Sequence, residues 1–315
     1  MLFITSTRIG DAVLSTGLID HFIRRHPGLR ITIACGAPAA PLFAAVPGLE
    51  RIHIITKRRH HLHWLELYRA CFRPWSVIVD LRASAIGWLL PARRRYIMGK
   101  RDDDLHRVIE LGRVIGAGEE PPAPRLWLTA EDREAAARLL GDGPVLALGP
   151  AANWIGKQWP AERFAELADR LTNGTGPLAG ARIALFAAPG EREQLRPLYE
   201  GLAADRLIDA VGLPLGQVAA LIERTALFIG NDSGLMHMAA ALKVPTLGLF
   251  GPSQIDRYRP WGALTAAVRT PKSFEDHVLD PTYDHRRTGS LMEGIKVGTV
   301  LQAAEDLLER ARHHG

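Results

Sequence analysis

The chain has 315 residues, 47% hydrophobic and 23% charged, which suits two globular domains of ordinary size and excludes long disorder. Thirty Gly and 21 Pro are scattered without a repeat, so collagen-like and low-complexity organisation are out. Net charge is +5, yet residues 1–120 hold 18 Lys+Arg against 11 Asp+Glu and the rest 21 against 23, so the basic excess lies in the N-terminal part, where it favours anionic partners.

The first apolar run, 2–6, lacks a basic n-region and a small-residue cleavage site, and reads as a strand rather than a signal peptide. No apolar run reaches the roughly 18–20 residues that span a bilayer. Further strands are expected at 31–35, 51–55, 76–80 and 95–98. Between the first two lies an amphipathic stretch, 11–25, with Val13, Leu14, Leu18 and Phe22 on one side. A second series has strands at 145–148, 182–186, 207–210, 226–229 and 246–249, and helices at 161–171, 191–202, 215–223 and 235–241. Strand–helix alternation predicts parallel sheets covered on both faces, and two series predict two doubly wound α/β domains. The seam is expected near 125–143, where Glu119-Glu120-Pro121-Pro122 breaks the pattern and a helix, 130–140, leads into Gly141-Asp142-Gly143-Pro144. An amphipathic helix, 297–312, ends the chain. Cys35 and Cys71 can form neither a disulfide framework nor a zinc site alone, and fit a reducing cytosol.

No Gly-x-Gly-x-x-Gly follows the first strand and no Walker A run occurs, so the usual dinucleotide and nucleoside-triphosphate fingerprints are absent. Three strand-to-helix junctions carry chemistry instead. In Thr7-Arg8-Ile9-Gly10-Asp11, Gly10 permits a tight turn and Asp11 stands at a helix start, at the edge where open α/β sheets bind ligands. Alone, this pattern favours Asp11 as an N-cap. In Gly230-Asn231-Asp232-Ser233-Gly234-Leu235-Met236-His237, a buried strand enters a helix of small residues. Free amides and a hydroxyl there suit an anion, and a plain capped helix is the other reading. His237 alone reads as a packing histidine. In the loop ending Asn153-Trp154-Ile155-Gly156-Lys157-Gln158-Trp159-Pro160, Lys157 can neutralise a diphosphate or simply be solvated. Trp159-Pro160 reads as packing plus a proline at the first helical position.

In order and content these junctions, continued by Phe250-Gly251-Pro252-Ser253, resemble glycosyltransferase family 9, the ADP-heptose:lipopolysaccharide heptosyltransferases. The resemblance covers nearly the whole chain. It implies a GT-B fold: two Rossmann-like domains, 1–143 for the acceptor and 144–296 for the nucleotide sugar, with an interdomain cleft. The helix within 297–315 would cross back onto the first domain. It implies Asp11 as catalytic base, assisted by Lys157 on the donor phosphates. Gly10, Asp232, Ser233, Gly234 and His237 would surround the substrates, Glu191 would bond the ribose and Leu213 would lie against adenine. Relatives often place hydroxyls before the lysine; here Asn153 would serve as the donor. No cofactor or metal is implied. Donor charge would be met by Lys157 and helix amides.

The partners so implied are an ADP-sugar and a lipid A–Kdo or inner-core acceptor, with cytoplasmic location and peripheral contact with the inner membrane. The basic clusters Lys57-Arg58-Arg59 and Arg93-Arg94-Arg95 fit an anionic acceptor; they lack the interleaved aromatics of nucleic-acid binders. Asp102-Asp103-Asp104 reads as a solvated helix cap rather than a metal cluster. Three rivals share the architecture: a transferase using another nucleotide sugar, a sugar-nucleotide epimerase, and a non-catalytic nucleotide-sugar binder.

Overall fold

The computed structural model describes residues 1–272, 276 and 289–314. Residues 273–275 and 277–288, part of the expected second domain, lie outside the described residues. The chain separates into two compact units, Met1–Thr129 and Ala130–Gly315.

The first unit is a five-stranded parallel sheet in the order β3-β2-β1-β4-β5, formed by β1 (Leu2–Ile4), β2 (Ile31–Cys35), β3 (Leu49–Ile54), β4 (Trp75–Asp80) and β5 (Ala92–Ile97). Phe3 is in register with Ile33 on one side and Val79 on the other. Helix α1 (Ile9–Arg25) buries Val13, Leu14, Leu18 and Phe22, the stripe its spacing predicts. Gly17 within it admits the 122–123 backbone; an added Cβ would stand 2.2 Å from the Pro122 oxygen. Helices α2 (Leu62–Ala70) and α3 (Ile86–Leu89) belong to the opposite face, where Leu67 and Ile86 join Leu2, Ile4, Trp75 and Ile78 in one cluster. Helix α4 (Arg107–Val114) packs on α1.

Both cysteines are free and buried, and burial pushes the Cys35 thiol up to about 12 and the Cys71 thiol to about 11. The acidic run before α4 does not cap it. His106 does, its Nδ1 accepting from the Val108 N–H at 3.1 Å, while Asp102 pairs with Arg113 and Asp103 with Arg101.

The second unit is a six-stranded parallel sheet in the order β11-β10-β9-β6-β7-β8. Its strands are β6 (Val145–Gly149), β7 (Arg182–Leu185), β8 (Leu207–Asp209), β9 (Leu227–Asn231), β10 (Thr246–Phe250) and β11 (Thr265–Arg269), the last not anticipated from its short, half-buried run. Helix α5 (Ala130–Leu140) packs on α8 (Leu215–Glu223) through a face that includes buried Ala136 and Leu140. Helix α5 therefore belongs with the second compact unit, which begins at Ala130. The expected helix 191–202 is a 3-10 stretch, Pro189–Leu195, followed by α7 (Arg196–Gly201).

One face of this sheet carries α6 (Ala161–Thr172), α7 and the final helix, here α11 (Val297–His314); α9 (Gly234–Ala241) packs on β9 and β10, and the single turn α10 (Ile255–Tyr258) leads into β11. Helix α11 lies against α6, β10 and β11, with Val297, Val300, Ala304, Leu307 and Leu308 in the core beside Leu247 and Leu249. The physical reason for this packing is local. No long helix precedes β11, so Leu247, Leu249, Ala266 and Val268 need a cover, and α11 supplies it.

Candidate functional site

Parallel sheets bind ligands beyond the carboxyl ends of their strands, where the winding direction reverses. In the first unit that reversal lies between β1 and β4, and in the second between β6 and β9. The sequence-marked residues follow these two positions.

In the first unit, the turn after β1 and the segment after β4 line a recess of about 240 Å³, with Thr5, Ser6, Asp11, Arg82 and Arg107 among its walls. Residue 8 is the cap of α1, without a side-chain bond, and Asp11 is the third helical residue. The N-cap reading of Asp11 is therefore set aside. Its carboxylate sits in the first turn, where the helix dipole favours negative charge. Gly10 is the second helical residue and has no positive φ, so 5–8 make the turn expected of it. The Asp11 side chain is 28% exposed, and its Oδ1 stands 4.0 Å from Arg107 Nε. That nitrogen is buried without a hydrogen-bond partner, while the same guanidinium is anchored through Nη1 to Glu110. Thr5 and Ser15 hydroxyls share a 2.8 Å bond beneath the recess. On the β4 side, Asp80 accepts from the backbone N–H groups of Arg82 and Ser84, both at 2.9 Å, and from the Ser84 hydroxyl. Burial pushes the Asp80 carboxyl up, and these bonds only partly oppose it. This turn holds Arg82 at the recess. Arg107, Arg82 and Thr5 escaped the sequence reading because nothing local marks them; only the packing of α4 on α1 brings Arg107 to Asp11.

In the second unit, the loops after β6 and β9 meet. Lys157, at the end of a short 3-10 turn, places Nζ 2.7 Å from Asp232 Oδ2. Burial alone would raise the Asp232 carboxyl. The charges of Lys157 and His237, with the hydrogen bond from Lys157, outweigh it and hold the group below the usual carboxylate range. Buried Asn231 ties the loops together: Oδ1 accepts from the Trp159 N–H at 3.1 Å, and Nδ2 donates to the Pro150 oxygen at 2.6 Å. Residues 290–295 fasten the loop from outside, through Leu291 N–H to the Gly156 oxygen at 3.2 Å and Trp159 Nε1 to the Ile295 oxygen at 3.0 Å. Trp159 is thus packing, as expected, and Pro160 caps α6 one residue ahead of its first turn.

Ser233 is the N-cap of α9, yet its side chain makes no capping bond, and its Oγ is buried without a partner. Gly234 begins the helix, so the first amides carry no side-chain obstruction. The backbone approach is close: a Cβ on Gly230 would stand 2.8 Å from the Phe228 ring and 2.9 Å from the Gly149 oxygen. A lysine cation, orphan amides and an unsatisfied hydroxyl converging on a helix N-terminus can hold a phosphate.

The remaining expected residues stand at neighbouring strand ends. Glu191 caps its own turn, accepting from the Ala188 N–H at 2.8 Å. Gln158 Nε2 bonds Gln194 Oε1 at 2.9 Å, joining the lysine loop to that turn. Leu213 is half-buried just after Gly212, whose N–H donates to the Ala187 oxygen at 3.1 Å. Asn153 is exposed on a bend. Asn231 and Ser253 flank this cluster, and both lie inside the sequence stretches that carry the family resemblance.

Comparisons with known proteins bear on the fold and the family. The family described as glycosyltransferase family 9 (heptosyltransferase) matches residues 89–279. The lipopolysaccharide heptosyltransferase 2 of Salmonella typhimurium is 24% identical over 312 residues, covering 85% of this chain and 87% of that protein. The crystal structure of a family 9 glycosyl transferase from Veillonella parvula superposes with a TM-score of 0.78 at 22% identity, over 98% of this chain and 97% of that one. An E. coli heptosyltransferase solved with ADP gives 0.72 at 18% identity, over 97% and 99%. Two doubly wound parallel units in this arrangement of elements make the GT-B fold, and the chain belongs to glycosyltransferase family 9.

Proposed function

We propose that this glycosyltransferase transfers heptose from ADP-heptose to the inner core of lipopolysaccharide, with inversion and with no divalent ion on the donor phosphates. The observation that carries the proposal is the pairing of Lys157 with Asp232 beside the unsatisfied Ser233 hydroxyl at the start of α9. A diphosphate seated there takes Lys157 Nζ and the amides of Ser233 and Gly234 as donors, and charge developing on departing ADP is met by groups already in place. Glu191 and Leu213, at the adjoining strand ends, complete the nucleoside side of this pocket.

Asp11 acts as general base from the first unit. It takes the proton of the acceptor hydroxyl as that oxygen attacks the anomeric carbon and the bond to ADP breaks. Such assistance is worth on the order of 10²–10⁴-fold. Arg82 and Arg107 beside it suit an acceptor bearing phosphate or carboxylate. That acceptor is a lipid A–Kdo or inner-core saccharide, met at the cytoplasmic face of the inner membrane by peripheral contact. Support for donor and acceptor comes from the names of the relatives and from ADP in the E. coli structure.

The deciding experiment incubates the protein with ADP-heptose and a heptose-deficient core acceptor, with and without EDTA, and reads the anomeric configuration of the product by NMR. Transfer with inversion that survives EDTA supports the proposal. Conversion of the nucleotide sugar without acceptor would make the protein an epimerase instead, and a faster reaction with a UDP- or GDP-sugar would replace the donor.

A further inference from the structure

Eight large hydrophobic side chains are exposed among the described residues, and six of them fall between residues 54 and 89. Their arrangement is ordered. Helix α2 buries His63 and Leu67 on its inner side, and its C-cap Cys71 is buried with them. Leu62 and Leu65, spaced i, i+3, lie on the solvent side of the helix, and Phe72, two residues past its end, is exposed as well. Helix α3 packs on α2 and adds Trp88 and Leu89, which are 68% and 64% exposed; Phe72 is 63% exposed. Scattered surface leucines are ordinary, but an apolar outer stripe on one helix, continued by a tryptophan and a leucine on its neighbour, is not.

The same stretch is strongly basic. Residues 57–95 hold nine Lys+Arg against two acids, Glu66 and the buried Asp80. Lys57, Arg58, Arg59, Arg69, Arg73 and Arg93 are all exposed. The basic strip is tied to α2: the Arg58 N–H donates to His63 Nδ1 at 3.2 Å, and its guanidinium meets Glu66 at 2.8 Å. Among the described residues no helix is long and apolar enough to cross a membrane. Apolar residues on short helices, bordered by cations, match a surface that lies in a bilayer interface instead.

We infer that the outer face of α2 and α3 docks the first unit on an anionic lipid bilayer, with Phe72, Trp88 and Leu89 entering the headgroup region and the flanking arginines meeting lipid phosphates. This names the surface behind the peripheral contact proposed above. It rests on that reading only for the presence of a bilayer, and not on donor, acceptor or Asp11. A docked first unit would draw a lipid-borne acceptor from a membrane plane rather than from bulk water.

The test is co-sedimentation of the full-length chain with vesicles of phosphatidylglycerol and phosphatidylethanolamine, and with phosphatidylcholine vesicles, no substrate being present. Binding to the anionic vesicles should exceed binding to neutral ones by about tenfold and fall at high salt. The triple variant F72S/W88S/L89S, whose sites are exposed, should keep the native melting temperature and lose about tenfold in binding. Lys57→Glu with Arg93→Glu should lose binding to anionic vesicles alone. As a measurement independent of that triple, brominated lipid should quench the wild-type tryptophan emission more than that of Trp88→Phe. Undiminished binding by the triple variant, equal quenching of both proteins, or no vesicle binding by the wild type overturns the inference. So does a wild-type dimer that the triple variant abolishes, since the face would then belong to a second copy. Turnover on a soluble acceptor reads the catalytic proposal separately, and is expected to be the same in wild type and triple variant.

Discussion

The strand ends at the winding reversal of each unit occupy the same topological position and are prepared differently. Beyond β6 and β9 the groups are already engaged: Lys157 holds Asp232, Asn231 stitches both loops, and the 290–295 segment clamps them. Beyond β1 the groups are close but unjoined, with Asp11 and Arg107 Nε 4.0 Å apart across a small recess. The same winding reversal hosts a tightly engaged polar cluster in one unit and an open recess in the other. Preorganisation matters most where charge develops, because donors already in place cost no rearrangement at the moment of reaction.

The comparison breaks or sharpens under substitution. The largest effect is expected from Asp11→Asn, which should lower kcat by about 10²–10⁴-fold while ADP affinity, read by calorimetry, stays at the wild-type value. Lost ADP affinity would mean that the first unit also holds the donor. Next, Lys157→Ala should weaken ADP binding by about 10–100-fold and also lower the melting temperature, because Asp232, whose side chain is only 10% exposed, loses its counter-charge. Adding Asp232→Asn to Lys157→Met should recover the stability but not the affinity, which separates the two roles.

Gly230→Ala tests the tight backbone approach. Its methyl would press on the Phe228 ring and the Gly149 oxygen, and denaturant unfolding should show a loss of about 1–3 kcal/mol. Ser233→Ala should do the reverse of a usual cap mutation. The hydroxyl has no partner to lose, so stability should change by less than about 0.5 kcal/mol, while ADP affinity falls about three- to tenfold.

The smallest effect concerns pH. Folding lowers the Asp232 carboxyl, so its stabilising contribution is complete above the ordinary carboxylate value of about 3.9 and is lost as pH falls through the lower folded value. The melting-temperature difference between wild type and Asp232→Asn should therefore be flat from neutral pH to about 5 and shrink below about 4. A difference that already fades near neutrality would break the view of this cluster as permanently charged.

How much was legible follows the range over which each feature is encoded. Val13, Leu14, Leu18 and Phe22 announce α1 because a 3.6-residue period is a local property, and nearly all the strands announce themselves as short apolar runs. The polar cluster beyond β6 and β9 was half legible: Lys157 and the Asp232–Gly234 junction are visible as motifs, but their 2.7 Å pairing joins positions 75 residues apart. Strand β11 was missed because it is short and only half-buried, and the packing of α5 on α8 is not legible because a helix face does not say which neighbour covers it.

The sequence by itself determined the alternation of strand and helix, the two winding series, and which strand ends carry a carboxylate, a lysine and a small-residue helix start, since each is written within a few consecutive positions. Only the tertiary structure decided that Arg107 faces Asp11, that α11 covers β10 and β11, and that Leu62, Leu65, Phe72, Trp88 and Leu89 remain uncovered. Those outcomes depend on which apolar surfaces are left bare once the strands have paired, and that competition for burial is settled between distant segments, not within any one of them.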